Sequence, residues 1–168
     1  RDGLMLGICN GFQALIKLGL VPYGTITEPD PENPTLTDNR NGRHASCLVR
    51  IRIASVKSPW FAFSEVGDIH TVPVSHGEGR FIASDEIIAT LIANGQIATQ
   101  YVDPDGQPSM EAAYNPNESI LAIEGITSPD GRILGKMAHS ERIGKNLYKN
   151  VAGNNDQKIF EAGVAYFK

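Results

Sequence analysis

The sequence has little cysteine, no cluster of lysine and arginine, and no apolar run long enough to cross a membrane. Two cysteines in 168 residues cannot form the dense disulfide framework of a small secreted domain, so we expect a reducing, cytoplasmic location. The net charge of -4 argues against nucleic acid as a main partner. The short apolar runs argue against a membrane, and no signal peptide opens the chain.

An apolar share of 41% and a charged share of 20% are ordinary for a globular protein. The length fits about one domain. The chain starts with Arg1, and an apolar strand begins almost at once. We therefore expect the chain to be a piece of a longer protein.

The residues around Cys9 predict a strand that turns abruptly into a helix. Residues 4–8 form an apolar run typical of a strand buried on both faces, and helical spacing follows at Phe12, Leu15, Ile16 and Leu18. Gly7 and Gly11 flank Cys9, which allows a sharp corner that exposes the thiol. The positive end of the following helix dipole is expected to lower the pKa of that thiol. Taken alone, the stretch fits a packed, inert cysteine equally well.

The rest of the chain is predicted to contain both strands and helices, separated by loops. Residues 22–46 contain several prolines and are predicted to form a loop. Residues 47–53 alternate in polarity, which puts Cys47 in a buried row. Pro73 makes the strand at 69–75 either an edge strand or the end of a strand. The other predicted elements are a helix capped by Ser84, strands at 97–102, 120–126 and 132–138, a tight turn at 128–131, and a closing helix after residue 156.

A glycine-rich motif, SHGEGRF, occupies residues 75–81. Gly77 and Gly79 alternate there with His76 and Glu78, so the backbone can come close to a ligand. A plain glycine turn fits the same residues.

His139 and Glu141 lie two residues apart, so on an extended backbone both side chains leave the same face, about 6.6 Å apart. A glutamate can bridge that distance to an imidazole, fix its tautomer and stabilise its charged form. Two independent surface side chains are the alternative. Because the other histidines lack metal-ligand spacing, we expect no metal; they are His44, His70 and His76.

Three motifs in this order resemble those of the class I (triad) glutamine amidotransferases: GICNGFQ at residues 7–13, SHGEGRF at 75–81 and HSER at 139–142. With residues 100–103 and 115–117, the middle motif is similar more narrowly to the amidotransferase domains of phosphoribosylformylglycinamidine synthases, which act in purine biosynthesis. The resemblance extends from Arg1 to about Arg142. It implies an α/β, flavodoxin-like three-layer sandwich.

The resemblance also implies that part of the domain is missing. Family members carry an N-terminal half-sheet before the nucleophile strand, with a glycine-rich loop that donates a second oxyanion hydrogen bond. Residues 1–168 are therefore expected to be the C-terminal portion of a glutaminase domain that lacks this half-sheet. Such a portion should expose a sheet edge and should not be a competent glutaminase by itself.

The chemistry that the resemblance implies is glutamine hydrolysis. Cys9 would attack the side-chain amide of glutamine to form a thioester, His139 would protonate the leaving ammonia and later activate water, and Glu141 would orient His139. The backbone N–H of Asn10 would be one oxyanion donor. The remaining positions that match the family's glutamine-binding sites are Gln13, Ser75, Gly77 and Glu78.

The implied partner is a synthase domain or subunit. It would use ATP and Mg to amidate formylglycinamide ribonucleotide with the released ammonia, and no cofactor is expected in the glutaminase portion itself. The chain departs from the family at Ala138 and Ser140, where prolines usually flank the histidine, and we expect little loss from this. Two other hypotheses are a cysteine hydrolase on a related α/β scaffold and a non-catalytic module that regulates the synthase.

Overall fold

The structure, a computed structural model, describes residues 3–168, so Arg1 and Asp2 lie outside it. It confirms an α/β fold in which strands and helices alternate irregularly along the chain. The strands are β1 (Met5–Ile8), β2 (Thr35–Asp38), β3 (Ala45–Ile53), β4 (Ile69–His76), β5 (Glu78–Ile82), β6 (Ile97–Tyr101), β7 (Ile123–Thr127) and β8 (Ile133–Lys136). The helices are α1 (Asn10–Lys17), α2 (Leu20–Tyr23), α3 (Asp85–Ala93) and α4 (Ile159–Ala165), with short 3-10 turns at Pro59–Phe61 and Ile120–Ala122.

Six strands form the main sheet in the order β1-β8-β7-β6-β3-β4. The β1–β8 pair is parallel and the other pairs are antiparallel. The predicted turn at 128–131 joins β7 to β8 as a hairpin, and β4 is an edge strand, as Pro73 predicts. Strands β2 and β5 pair separately.

Strand β1 is the other edge of the main sheet, so the expected exposed edge is present in residues 3–168. The prediction that this strand is buried on both faces is wrong. Only Gly7 is buried, and Met5 is 44% exposed. An apolar run does not distinguish a central strand from an edge strand, because the sequence does not specify the neighbours that cover it.

Helices cover both faces of the sheet. Helices α1 and α3 share one apolar cluster with β7, whereas α4 packs with the Pro59–Phe61 turn in another. Two consecutive residues of β8 face these two layers on opposite sides of the sheet. Leu134 belongs to the α4 cluster, while a Cβ added to Gly135 would collide with the ring of Phe12 on α1. The Cys9 corner therefore lies at one end of a layered, packed core.

Two sequence predictions for the middle of the chain are corrected. Residues 22–46 are not all loop, because β2 forms within them by pairing with β5. Cys47 is exposed rather than buried. The reason is that β3 pairs with β4 over most of its length but meets β6 only from Ile51 to Ile53. The first half of β3 therefore extends past the sheet in a two-stranded arm.

None of the helices within residues 3–168 is both long and apolar enough to cross a membrane.

Candidate active site

Cys9 occupies the corner between β1 and α1, as the sequence predicts. Its backbone lies at φ 53° and ψ -108°, a region that ordinary residues adopt only under strain. Gly7 is required for the corner, because a Cβ there would lie 2.7 Å from the backbone of Gly11. At Gly11 itself, a Cβ would meet nothing within 4 Å. The packing of residues 3–168 therefore explains why a glycine is needed at Gly7, but it gives no reason for the glycine at Gly11.

The thiol of Cys9 is partly buried and donates a long hydrogen bond to the Ser75 carbonyl, with 3.7 Å between Sγ and O. Burial raises the pKa of the Cys9 thiol, and this outweighs the lowering by the Asn10 backbone N–H and by the Arg142 charge. The expectation of a lowered pKa is therefore wrong for this structure. The helix start does favour the thiolate, but desolvation is the larger effect.

The SHGEGRF motif forms the wall opposite Cys9, as two strands joined at Gly77 rather than as a loop. The side chain of Gln13 reaches across from α1, and its Nε2 donates to the Glu78 carbonyl at 2.5 Å. The Ser75 hydroxyl bonds His44 Nε2 at 3.0 Å. A Cβ at Gly77 would meet nothing within 4 Å, so open space lies beside its backbone.

His76, in the same motif, is 3% exposed. Both N–H donors of the Asn39 amide bond carbonyls, those of Arg43 and His76, so the amide oxygen faces His76 Nδ1 at 3.1 Å. Nδ1 therefore carries the proton, and the buried Nε2 has no hydrogen-bond partner among the described residues. Burial lowers the pKa of His76 to about 4, which keeps the ring neutral at neutral pH.

His139 and Glu141 are in contact, with 2.6 Å between Nδ1 and Oε1. The backbone at these residues is a turn rather than the extended strand assumed from the sequence, and the Arg142 N–H closes it on the His139 carbonyl. The carboxylate accepts from Nδ1, so Nε2 is the nitrogen left for chemistry. Nε2 is buried and has no hydrogen-bond partner within the described part of the chain.

The fold brings the three motifs together. Cys9 contacts Ser75, Gln13 contacts the carbonyl of Glu78, and the charges of Glu141 and Arg142 influence Cys9. The His139 backbone N–H also donates to the Pro73 carbonyl of β4 at 2.8 Å. No hydrogen bond joins Cys9 to His139 in residues 3–168; such contacts often tighten only when substrate binds. Asn10 starts α1 and is exposed.

Sequence reasoning missed a buried ion pair next to this site. Glu124 on β7 and Lys136 on β8 are both fully buried, with 3.2 Å between Lys136 Nζ and Glu124 Oε1. Burial lowers the pKa of Lys136, and the neighbouring Glu124 carboxylate opposes that effect. Each of these two short strands has a single charged residue among mostly apolar ones, a signal that could have indicated a buried charge but not its partner.

The site combines a thiol on a strained corner, a backbone N–H at a helix start, and an imidazole held by a carboxylate. This is the set of groups that acyl transfer through a covalent intermediate needs. Within residues 3–168, no three His, Cys, Asp or Glu side chains are grouped to hold a metal ion.

Comparisons with known proteins identify the family and the fold. Residues 1–167 match the profile of the CobB/CobQ-like glutamine amidotransferase domain. The chain is 33% identical over 165 residues to phosphoribosylformylglycinamidine synthase subunit PurQ of Gloeobacter violaceus, covering 98% of this chain and 64% of that protein. The same subunit of Salinibacter ruber is 35% identical over 160 residues, 95% of this chain and 61% of the relative.

A solved structure titled "Structure of PurLQS from Thermotoga maritima" superposes with a TM-score of 0.71 at 25% identity, over 98% of this chain and 62% of that one. This likeness confirms the predicted fold class, a partial class I glutamine amidotransferase-like sandwich. The chain spans about three fifths of the length of these relatives.

Proposed function

The chain belongs to the CobB/CobQ-like glutamine amidotransferase family, and we propose that it is the glutaminase part of a phosphoribosylformylglycinamidine synthase. The observation that carries this proposal is the meeting of a strained Cys9 corner with the SHGEGRF wall and a carboxylate-held His139. The alternative, a cysteine hydrolase of another kind, does not explain why Gln13 contacts Glu78 of the SHGEGRF motif. Residues 1–168 would then be the C-terminal portion of the glutaminase domain.

Cys9 is the proposed nucleophile, and His139 is its base. Because burial raises the pKa of Cys9, the thiol needs a base rather than ionising unaided. His139 Nε2 is suited to this, since it is unpartnered while Glu141 holds Nδ1. His139 takes the thiol proton, and the thiolate attacks the amide carbon of glutamine. The Glu141 carboxylate stabilises the resulting imidazolium.

The tetrahedral intermediate carries a negative oxygen, and the backbone N–H of Asn10 is the proposed donor that stabilises it. Loss of one such donor typically lowers the rate about 100- to 1000-fold. Collapse of the intermediate breaks the C–N bond, and His139 Nε2 gives its proton to the departing ammonia. His139 then deprotonates a water molecule that attacks the thioester, so glutamate leaves and the thiol is restored.

Glutamine would lie between the Cys9 corner and the SHGEGRF wall. There the Ser75 carbonyl accepts from the Cys9 thiol, and the Glu78 carbonyl accepts from the side chain of Gln13, which ties α1 to the wall. The open space at Gly77 allows a ligand to approach the main chain closely. The proposed glutamine-binding residues are Asn10, Gln13, Ser75, Gly77 and Glu78.

The ammonia would pass to a synthase domain or subunit that uses ATP and Mg to amidate formylglycinamide ribonucleotide. The relatives' names and the Thermotoga maritima structure, which is titled as an assembly, support such a partner. We place the protein in the cytoplasm because both of its cysteines are free thiols, as is usual in a reducing compartment.

The test is labelling of the full-length protein with a glutamine-mimicking electrophile, followed by location of the adduct by mass spectrometry. We expect one adduct at Cys9, prevented by excess glutamine and absent from Cys9→Ser. Exposed Cys47 is an internal control for non-specific alkylation. Labelling at Cys47 alone, or no labelling, would refute the proposed nucleophile.

A further inference from the structure

The turn that carries His139 rests on the buried pair of Glu124 and Lys136. Both side chains are fully inaccessible to solvent. The pair bonds groups on each side of His139 and leaves the histidine itself untouched. It therefore acts on the main chain that carries the proposed base.

Four hydrogen bonds describe the arrangement. Glu124 Oε1 accepts from the Ala138 backbone N–H at 2.6 Å, and Lys136 Nζ donates to the Ala138 carbonyl at 2.8 Å. Lys136 Nζ also donates to the Ser140 hydroxyl oxygen at 2.9 Å, and that hydroxyl in turn donates to the Gln157 side chain. The residue before His139 and the residue after it are thus both fixed by the same ammonium group.

Glu124 is itself held in place. Its second oxygen accepts from the Thr99 hydroxyl on β6, the neighbouring strand. We call the hydrogen-bonded network formed by Thr99, Glu124, Lys136 and Ser140 the clamp. The clamp joins three strands of the sheet to the His139 turn. Polar networks that are satisfied in this way fix a single arrangement of the groups they contact.

Stability alone is a poor reason for this pair. Taking two charges out of water is costly, and well-packed apolar residues at such positions are often as stabilising or more so. What an apolar pair cannot do is donate to the Ala138 carbonyl and Ser140 hydroxyl, or accept from the Ala138 N–H.

We propose that Lys136 and Glu124 are positioning residues that hold the His139 turn and so set the direction of its unpartnered Nε2 relative to the thiol of Cys9. This inference rests on the proposed glutaminase function. It adds to that function a device within the sheet that sets the direction of the base.

The principal test is the double variant Glu124→Gln/Lys136→Met in the full-length protein. It keeps similar side-chain volumes and leaves no unpaired buried charge, but it removes the bonds made by the ammonium. A displacement of about 1 Å in a reacting group can lower the rate about 100-fold. For a smaller displacement of His139, we expect kcat for glutamine hydrolysis to fall at least about 10-fold. The KM for glutamine should stay unchanged, and so should the rate of synthesis with ammonia as the nitrogen donor.

A matched control is Gln96→Met. Gln96 is also buried and donates two hydrogen bonds, to the carbonyls of Pro22 and Thr127, none of them to the His139 turn. It should destabilise the protein without lowering kcat. Ser140→Ala is a second, smaller test, which removes one hydroxyl of the clamp and should lower kcat in the same direction as the double variant.

A spectroscopic measurement separates positioning from general damage. The short bond between His139 Nδ1 and Glu141 Oε1 should give a downfield proton resonance, assigned by its loss in His139→Ala. We expect that resonance to shift or broaden in the double variant and in Ser140→Ala, and to stay in place in Gln96→Met.

A double variant with unchanged kcat would overturn the inference. So would an equal loss of kcat in Gln96→Met, or unchanged kcat and proton resonance in Ser140→Ala. Failure of the proposed function itself looks different, because the unmodified protein would then neither hydrolyse glutamine nor be labelled at Cys9.

Discussion

Protonation of His76 should destabilise the protein as the pH falls below neutral. In the unfolded chain its pKa is close to 6.5, whereas burial lowers the pKa to about 4 in the folded protein. Between these values the unfolded state binds more protons, so the free energy of unfolding decreases as the pH decreases. A proton on Nε2 would add a charge and an unpaired donor to a site where that nitrogen has no partner among the described residues.

The full depression of the His76 pKa from 6.5 to about 4 corresponds to about 3.5 kcal/mol, at about 1.4 kcal/mol per pKa unit. About 2 kcal/mol of this is lost between pH 7 and pH 5. The matched variant is His76→Asn, whose amide can donate to Asn39 Oδ1 but does not titrate. Its constant packing cost cancels when each protein is compared with itself at the two pH values.

The measurement is urea unfolding of the full-length protein and of His76→Asn at pH 7 and pH 5, with an NMR titration of the His76 ring. The unmodified protein should lose about 2 kcal/mol more than the variant over that interval. His70, whose pKa is also lowered by burial, is present in both proteins and does not affect the difference. Equal losses, or a His76 pKa near 6.5, would refute the reasoning.

Two further predictions concern the proposed chemistry and the corner that carries it. His139→Ala should abolish glutamine-dependent turnover and leave ammonia-dependent turnover intact, measured as product formation with either nitrogen donor; loss of both activities would mean structural damage instead. Gly7→Ala should lower the free energy of unfolding by about 3 kcal/mol, because its Cβ would lie 2.7 Å from the backbone of Gly11. Gly11→Ala, where the space is open, should raise it by up to about 1 kcal/mol. Similar destabilisation by both alanines in urea unfolding would contradict the packing argument.

The features that the sequence predicts well are encoded within a few residues. The Cys9 corner depends on a short apolar run, a nearby glycine and the helical spacing that follows. Ser84 caps α3 by accepting from the Ile87 N–H, as its position before an acidic first turn indicates. The turn at 128–131 joins two strands whose pattern is visible without the fold.

The contact between His139 and Glu141 was predicted for an incomplete reason. A spacing of two residues keeps the two side chains within reach, and this holds in an extended strand and in the observed turn. The sequence therefore constrained the contact but not the backbone conformation. The two residues that hold this turn are Glu124 and Lys136. They come from two different strands, so no local sequence pattern indicates what their side chains contact.

Other errors arose where burial decides the outcome. Cys47 shares the alternation of Val49 and Ile51, yet it is exposed because β6 does not extend that far along β3. The thiol of Cys9 has the helix start that favours ionisation, yet desolvation raises its pKa. Neither alternation nor a helix start shows how much solvent a neighbouring element removes.

The sequence by itself determined the α/β character, the strand-to-helix corner at Cys9, the motifs that identify the family, and the reach of Glu141 to His139. Only the tertiary structure decided that β1 is an edge strand, the direction of the pKa shifts of Cys9 and His76, and the pairing of Glu124 with Lys136. The physical reason is that backbone preferences and side-chain reach act over a few residues. Desolvation and ion pairing depend instead on which distant segments of the chain pack together.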